Sequence, residues 1–269
     1  MALWVLPVLL VAWFSWRYAW WRPTTDLHYP RILMYHMITE PVASARFNGL
    51  RVSPPMFEQQ LHWLKANGWQ SFTVSELIDR AKDMPEKSFA ITFDDGYSDN
   101  VTNALPLLQR YGFKATLYLV VDRHNRDWSR ARKAHHDDDE LKGIEKLSDE
   151  QVDVLLASGC FELAAHTLTH PNFLDTEDAV LQVELVEAKA RLEQRFNVSV
   201  RSFAYPFGLY RPEHVVLVRE AGYDSAVTVR EGIDHPDNWS PLELARVKIS
   251  GRDSMRAFRQ RMRAGKRGV

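Results

Sequence analysis

A chain of 269 residues, 45% hydrophobic and 26% charged with 12 glycines and 13 prolines, has room for one sizeable α/β domain or two small ones and is not collagen-like, low-complexity or wholly disordered. The single cysteine, Cys160, excludes an intramolecular disulfide framework and a cysteine zinc cluster. The formal charge of −1 hides three zones: residues 1–22 hold two basic and no acidic side chains, residues 252–269 hold seven basic and one acidic, and the body between holds 25 basic against 34 acidic, a net of −9. Such blocks read as contacts with membranes or polyanions, or, for the tail, as a solvated last helix with basic ends.

The first zone is apolar from Leu3 to Trp21. As a helix it would span about 28 Å, close to the hydrocarbon thickness of a bilayer. Arg17 near its end can snorkel to the head groups, and Trp16, Trp20 and Trp21 sit where an interfacial aromatic belt belongs. It has neither a basic n-region nor a small-x-small cleavage site, so an uncleaved single-pass anchor is the reading preferred over a signal peptide or a buried helix. Arg17, Arg22 and Arg31 all follow the span, and the positive-inside rule therefore argues for a cytoplasmic body. The expected organisation is an anchor at 1–22, a linker at 23–30, a body at 31–251 and a basic tail at 252–269.

Along the body, apolar periodicity predicts a strand over 31–35, a helix over 57–66 entered through Pro54 and Pro55, and a short helix over 75–81. A strand over 88–93, a helix over 98–111 and a buried strand over 115–121 follow. The helix predicted over 148–158 opens with a capping box, Ser148 and Gln151. After a strand over 161–165 comes the longest helix, 177–196, with Leu181, Leu185, Ala188, Leu192 and Phe196 on one face and a Glu187–Arg191 pair on another. Strands over 202–204, 225–229 and 246–249 and a helix over 212–221 closed by Gly222 complete the pattern. About seven strands, most followed by helices, imply a parallel sheet with its functional loops at the strand C-termini. The charged stretch 122–147 reads as a lid or an insertion.

Three strand ends carry chemistry. Asp94 and Asp95 leave an apolar strand just before Gly96; adjacent residues of an extended chain point opposite ways, so one carboxylate can hold a metal while the other handles a proton. The alternative is an Asx-turn with two solvated aspartates. His166 and His170 follow the strand over 161–165, and a spacing of four places two imidazoles on one face of a helical turn, suited to chelating a divalent metal. The third is Tyr205-Pro206-Phe207-Gly208, a tight turn able to aim a backbone N–H as an oxyanion donor, or simply a Pro-Gly turn with core aromatics.

Thr92-Phe-Asp-Asp-Gly96, His166-Thr-x-x-His170 and Tyr205-Pro-Phe-Gly208, in that order, resemble the motif set of the polysaccharide deacetylases, carbohydrate esterase family four with its NodB-like homology domain. Met34-Tyr35-His36 and the stretch Glu162–His170 resemble the branch acting on exopolysaccharides. The resemblance covers roughly residues 30–250. It implies a distorted (β/α) barrel of about seven strands, here preceded by one N-terminal transmembrane helix, and metal-dependent removal of N-acetyl groups from a hexosamine polymer. It further implies Asp95, His166 and His170 as ligands of a divalent metal, usually zinc, Asp94 as general base, and the backbone N–H of Phe207 as an oxyanion donor. A zinc-bound water with a pKa near 7 fits that chemistry.

The sequence departs from the family pattern twice. Ala204 stands where an arginine usually orients the base, and no histidine follows His235 to act as the late general acid. The expectation is that Arg246 takes over the arginine's electrostatic role and that His36, at the end of the first strand, supplies or assists the acid; the alternatives are a salt-bridged sheet end and a capped core histidine. Trp128 is read either as a sugar-stacking ring or as a loop anchor, and His135-His136-Asp137-Asp138-Asp139 as a solvated cluster. No nucleic-acid motif is present. Expected partners are an N-acetylated polysaccharide and, through the first helix, the bacterial inner membrane, with a polymer substrate placing the barrel on the periplasmic side against the arginine argument. An O-acetyl esterase at the same site and a catalytically weak glycan-binding or assembly protein are the competing functions.

Overall fold

In the computed structural model, which describes residues 4–18, 21–129 and 139–267, the body closes into a ring. Its strands are β1 (Arg31–Tyr35), β2 (Gln70–Ser71), β3 (Ser88–Asp94), β4 (Ala115–Leu119), β5 (Phe161–Ala165), β6 (Ser202–Ala204), β7 (Ser225–Glu231) and β8 (Leu244–Lys248). Seven of them run in parallel in the order β1, β8, β7, β6, β5, β4, β3, and β3 pairs back with β1 from Arg31↔Phe89 to Tyr35↔Phe93. The two-residue β2 pairs with Ser88 and Phe89. Phe89 already has β1 on one side, so β2 occupies the other side of β3 ahead of β4, whose pairing begins at Ile91.

Period-two alternation sorts the ring into two cores. Phe89, Ile91 and Phe93 of β3 face the helical layer with Leu33, Leu117, Leu163, Phe203 and Val247. Ile32, Ala90, Tyr118, Ala164, Ala204, Val227 and Leu244 face inward with Val74 and Leu77. Because Ala90 points inward, Thr92 and Asp94 do too. The interior is unusually polar, and its groups are paired: Tyr118 Oη meets Ser202 Oγ at 2.8 Å, and Thr116 Oγ1 donates to Glu162 at 2.9 Å.

The helices are α1 (Val5–Tyr18), α2 (Pro54–Ala66), α3 (Val74–Asp79), α4 (Leu105–Tyr111), α5 (Asp149–Ala157), α6 (Asp178–Phe196), α7 (Pro212–Glu220) and α8 (Met255–Ala264). The Ser148–Gln151 capping box forms, and all five apolar residues expected on one face of α6 are buried. The helix expected over 98–111 instead opens as a π-turn, Asn100–Ala104, before α4. Pro106 has no N–H to give to the carbonyl four residues earlier, so the helical ladder shifts there. The stretch expected as a basic tail folds as α8, which buries Ala257, Phe258 and Met262 and stacks Phe258 edge-on against Trp63 of α2 at 5.8 Å. The segment expected as a linker is tied down by buried Arg31, whose guanidinium donates to the carbonyls of Thr25, Asp26 and Met262.

Among the described residues the first helix runs from Val5 to Tyr18; Leu3, Ala19 and Trp20 of the span expected from the sequence lie outside the described residues. Its 14 residues reach about 21 Å. Among the described residues no helix is long and apolar enough to cross a membrane. Residues 130–138, including His135, His136, Asp137 and Asp138, lie outside the described residues.

Candidate active site

The C-terminal ends of the strands surround a cavity of about 210 Å³, lined among others by His36, Asp94, Asp95, His166, His170 and Phe207. All of these come from the sequence-derived set.

At the end of β3, Asp94 stays in the strand and faces the barrel interior. Asp95 follows with φ +78° and Gly96 with φ +77°, so two left-handed residues turn the second carboxylate toward the same cavity. A Cβ on Gly96 would lie 2.4 Å from Leu119 Cδ1 at a left-handed backbone position, so any side chain there is strained and displaces Leu119. After β5, His166 and His170 do not share a helical turn as the spacing suggested. Thr167 at φ +69° and His170 at φ +62° fold the segment into a loop, and strained backbone of this kind gathers at functional sites. Glu184 of α6 holds that loop, accepting the N–H groups of Leu168 and Thr169 and the Thr169 hydroxyl at 2.9, 2.9 and 2.6 Å.

The two imidazoles meet Nε2 to Nε2 at 3.1 Å, and Asp95 Oδ1 lies 3.5 Å from each. All three side chains are buried, and their ligating atoms lie within 4.8 Å of one another. A tetrahedral ion with bonds of about 2.0–2.1 Å has ligand–ligand edges of about 3.3–3.4 Å, so this triangle fits such an ion. The Nδ1 of His166 points at the Ala204 carbonyl, 2.8 Å away. That contact fixes the proton on Nδ1 and leaves an Nε2 lone pair aimed at the triangle. Burial and the neighbouring His166 push His170 down to about 3, so it is neutral and ligand-ready at neutral pH. Burial alone would raise Asp95, but the imidazoles of His166, His36 and His170 around it outweigh it and hold the carboxyl well below its usual range.

Arg246 rises inside the barrel from β8 and is 1% exposed. Its Nη1 and Nη2 donate to Asp94 Oδ1 and Oδ2, both at 2.7 Å, while Nη1 also reaches Thr92 Oγ1 and Nε reaches the Thr228 carbonyl. Ala204 belongs to the same inner cluster, so the short side chain on β6 is matched by a long cation from β8. Burial pushes the Asp94 carboxyl up; the guanidinium more than offsets this and holds it below the ordinary value. His36 stands one residue beyond β1. The loop after it is tied to the π-turn, where the Asn100 amide donates to the His36 carbonyl and Asp99 accepts from Ile38 N–H. Burial lowers the His36 pKa, opposed by Asp95 and Asp94.

Phe207 has φ +57°. The turn's own hydrogen bonds run from Gly208 to Tyr205 and from Leu209 to Pro206, leaving the Phe207 N–H out of the ladder. Its ring meets His170 edge-on at 4.4 Å. Trp128 covers the other side of His170 with ring centroids 4.8 Å apart. At 5% exposure Trp128 is a buried wall of the cavity and an anchor of its loop. Behind it sits Lys146, also buried, with Nζ 3.4 Å from the Tyr97 ring centroid and 4.4 Å from that of Trp128, no hydrogen-bond partner among the described residues, and a pKa lowered by burial to about 7. His235 stacks on Tyr29 and does not line the cavity.

Sequence reasoning missed Glu184 and Lys146. Glu184 had a signal, an acid on the apolar face of α6 between Leu181 and Leu185; Lys146 had none.

The polysaccharide deacetylase family profile matches residues 81–226 of this chain. YxkH of Bacillus subtilis, a polysaccharide deacetylase by name, is 31% identical over 230 residues, covering 84% of this chain and 74% of its own. The chain belongs to the polysaccharide deacetylase family. The poly-beta-1,6-N-acetyl-D-glucosamine N-deacetylase of Staphylococcus epidermidis is 25% identical over 205 residues, 72% of this chain and 66% of that protein. Among solved structures, a Streptococcus pyogenes deacetylase in complex with acetate superposes with a TM-score of 0.73 at 25% identity over 88% of this chain and 99% of its own. A Bacillus cereus polysaccharide deacetylase gives 0.71 at 27% identity, over 87% and 69%. Members of this family are hydrolases acting on amide bonds, and this chain has the seven-stranded parallel barrel with a buried Asp–His–His triangle at its mouth that could hold a metal ion.

Proposed function

We propose that this chain hydrolyses the N-acetyl groups of an N-acetylhexosamine polysaccharide, with Asp95, His166 and His170 holding a divalent metal, zinc in our reading. The observation that carries the reading is the separation of the two adjacent carboxylates: Asp95 faces the two imidazoles, and Asp94 is gripped by Arg246. When bound, the metal supplies Lewis-acid activation of water and of the acetyl carbonyl. Asp94, kept ionised and oriented by Arg246, takes the proton from the attacking water. The Phe207 N–H donates to the carbonyl oxygen as charge builds there. His36, on the same cavity wall, delivers a proton to the departing amine, which cannot leave as an anion. Trp128 and Phe207 clamp His170 from two sides and exclude water from it.

The apolar α1 and its arginine flank support reading the chain as anchored in the bacterial inner membrane by its first helix, and a polymer substrate supports a periplasmic barrel. A C-terminal reporter fusion tests the orientation: reporter activity confined to the cytoplasm refutes it.

Acetate release from N-acetylglucosamine oligomers, measured with chelator, with added zinc and with Asp94→Asn, tests the chemistry. The expected result is release that chelation abolishes, zinc restores and Asp94→Asn lowers by about 10²–10⁴-fold. Release confined to O-acetylated sugars assigns an esterase, and tight glycan binding with no release above the Asp94→Asn control assigns a binding protein.

A further inference from the structure

Helix α8 carries its cations in two groups. Arg261 faces the barrel, buried between Asp253 and Glu231, with Nε 2.7 Å from Asp253 Oδ2 and Nη1 3.0 Å from Glu231 Oε1. Arg252, Arg256 and Arg259 are exposed. Arg256 and Arg259, three apart, share one exposed face of α8, and Arg252 stands in the turn just ahead of its N-cap, Ser254; the three form the exposed basic stripe of this segment. None of the three makes an ion pair among the described residues, whereas exposed Arg110, Arg191, Arg195 and Arg230 each grip a carboxylate. The segment that holds them, residues 252–269, carries seven basic side chains and one acidic, beside a body of net charge −9.

The stripe adjoins the apolar helix. The Arg256 guanidinium carbon lies 4.7 Å from the Phe14 ring centroid and 5.6 Å from that of Tyr18, so the end of α1 rests against α8. Further along, α1 exposes Val5, Leu6, Leu9, Leu10 and Trp13. An exposed apolar helix flanked by a line of unpaired arginines has the two elements of an anionic-membrane surface, one for the acyl region and one for the head groups.

We infer that Arg252, Arg256 and Arg259 form a docking surface for anionic phospholipid head groups, holding the barrel by its α8 side against the bilayer. The occupant follows from charge. The body over residues 23–251 carries a net charge of −9 and is repelled by an anionic surface, whereas the stripe sets three positive charges beside the apolar helix. The inference rests on the membrane-anchor reading of α1 and is independent of the chemistry at the barrel mouth.

Flotation of the full-length chain with vesicles tests it, using phosphatidylcholine alone and phosphatidylcholine with phosphatidylglycerol at low salt. Anionic lipid is expected to raise partitioning on the order of 100-fold, given three arginines near the surface. The Arg252→Gln/Arg256→Gln/Arg259→Gln variant is expected to lose that gain, as is the native chain in 0.5 M salt (roughly a 4 Å screening length). The matching triple lysine variant should keep it. Acetate release from a soluble oligomer serves as the folding control and stays unchanged in both variants. A gain that survives the glutamine substitutions overturns the inference and transfers the effect to Arg17 and Arg22. Retention on soluble polyphosphate with no response to phosphatidylglycerol also overturns it, assigning the stripe to an anionic polymer. Flotation with anionic vesicles but not with phosphatidylcholine upholds the stripe while refuting the anchor.

Discussion

Arg246 and Arg256 stand ten residues apart and do opposite things. Arg246 is enclosed in the barrel, and every nitrogen it carries has an acceptor, two of them on Asp94. Arg256 lies on the outside of α8 with aromatic rings for neighbours and no carboxylate. A buried guanidinium costs several kcal/mol to desolvate and persists only when the pairing is complete, so Arg246 is locked to one job and one geometry. The exposed one keeps its hydration and remains available to a partner. The same residue type is a fixed part of the site on one side of β8 and a free surface charge on the other, and burial makes the difference.

The sharpest way to break that contrast is to remove the interior cation. Arg246→Ala leaves Asp94 buried without its counter-charge, which costs about 3–5 kcal/mol in a denaturant melt. Its effect on turnover is larger, about 10²–10⁴-fold. The sign of the pH effect follows from the environment. In the native chain the guanidinium holds Asp94 below its usual range, so the base is ionised throughout the neutral region; without it burial dominates, the folded pKa rises, and the acid limb of kcat/KM moves to higher pH. An acid limb that stays in place in Arg246→Ala separates Asp94 from the base role.

Gly208→Ala is next. A Cβ there would lie 2.1 Å from Val229 Cγ2 at a residue with φ +65°, so the turn carrying the Phe207 N–H must shift. We expect a loss of about 1–3 kcal/mol in stability. Turnover should fall more than substrate affinity, because the N–H acts on charge that develops only in the transition state. Equal changes in kcat and KM would count against Phe207 as an oxyanion donor.

Lys146→Met probes a buried amine packed on aromatic rings with no hydrogen-bond partner among the described residues. Its folded pKa of about 7 lies below the model-peptide value of 10.5. Between those two values the unfolded chain holds a proton that the folded chain has released. Stability contributed by this group therefore rises with pH across that window, with a slope of up to about 1.4 kcal/mol per pH unit. Urea melts of Lys146→Met should lack this rise and show a more stable protein at pH 7. At the far end, Arg256→Gln should change stability by less than about 0.5 kcal/mol and leave acetate release from soluble oligomers untouched.

The strand ends were legible because the chemistry there is contiguous. Asp94-Asp95-Gly96 and His166-x-x-x-His170 each place their functional side chains within five residues of one strand, and an apolar strand ending in acids or imidazoles is visible without a fold. The inward set on β3 follows from the same alternation that makes Phe89, Ile91 and Phe93 outward. The shape of the histidine loop was not legible. A spacing of four suits a helical turn, and the actual chain uses two left-handed residues held by Glu184 from α6, a contact that depends on how α6 lies over β5. Of the two readings the sequence offered for the tail, a last helix is what forms, and its basic residues divide into an inward and an outward group only once α8 is laid against α2 and β8.

By itself the sequence determined a parallel ring of strands and helices, the two carboxylates and two imidazoles at the ends of β3 and β5, and the family to which the chain belongs, because these depend on local periodicity and on residues adjacent along the chain. The tertiary structure decided between the two readings of Arg246 by setting it on Asp94, and it alone showed that Glu184 sets the histidine loop and that Lys146 sits behind Trp128. Each of those pairings joins residues 15 to 152 positions apart. Such pairs meet only when the ring closes, and what makes them strong, the exclusion of water around them, does not exist until it has.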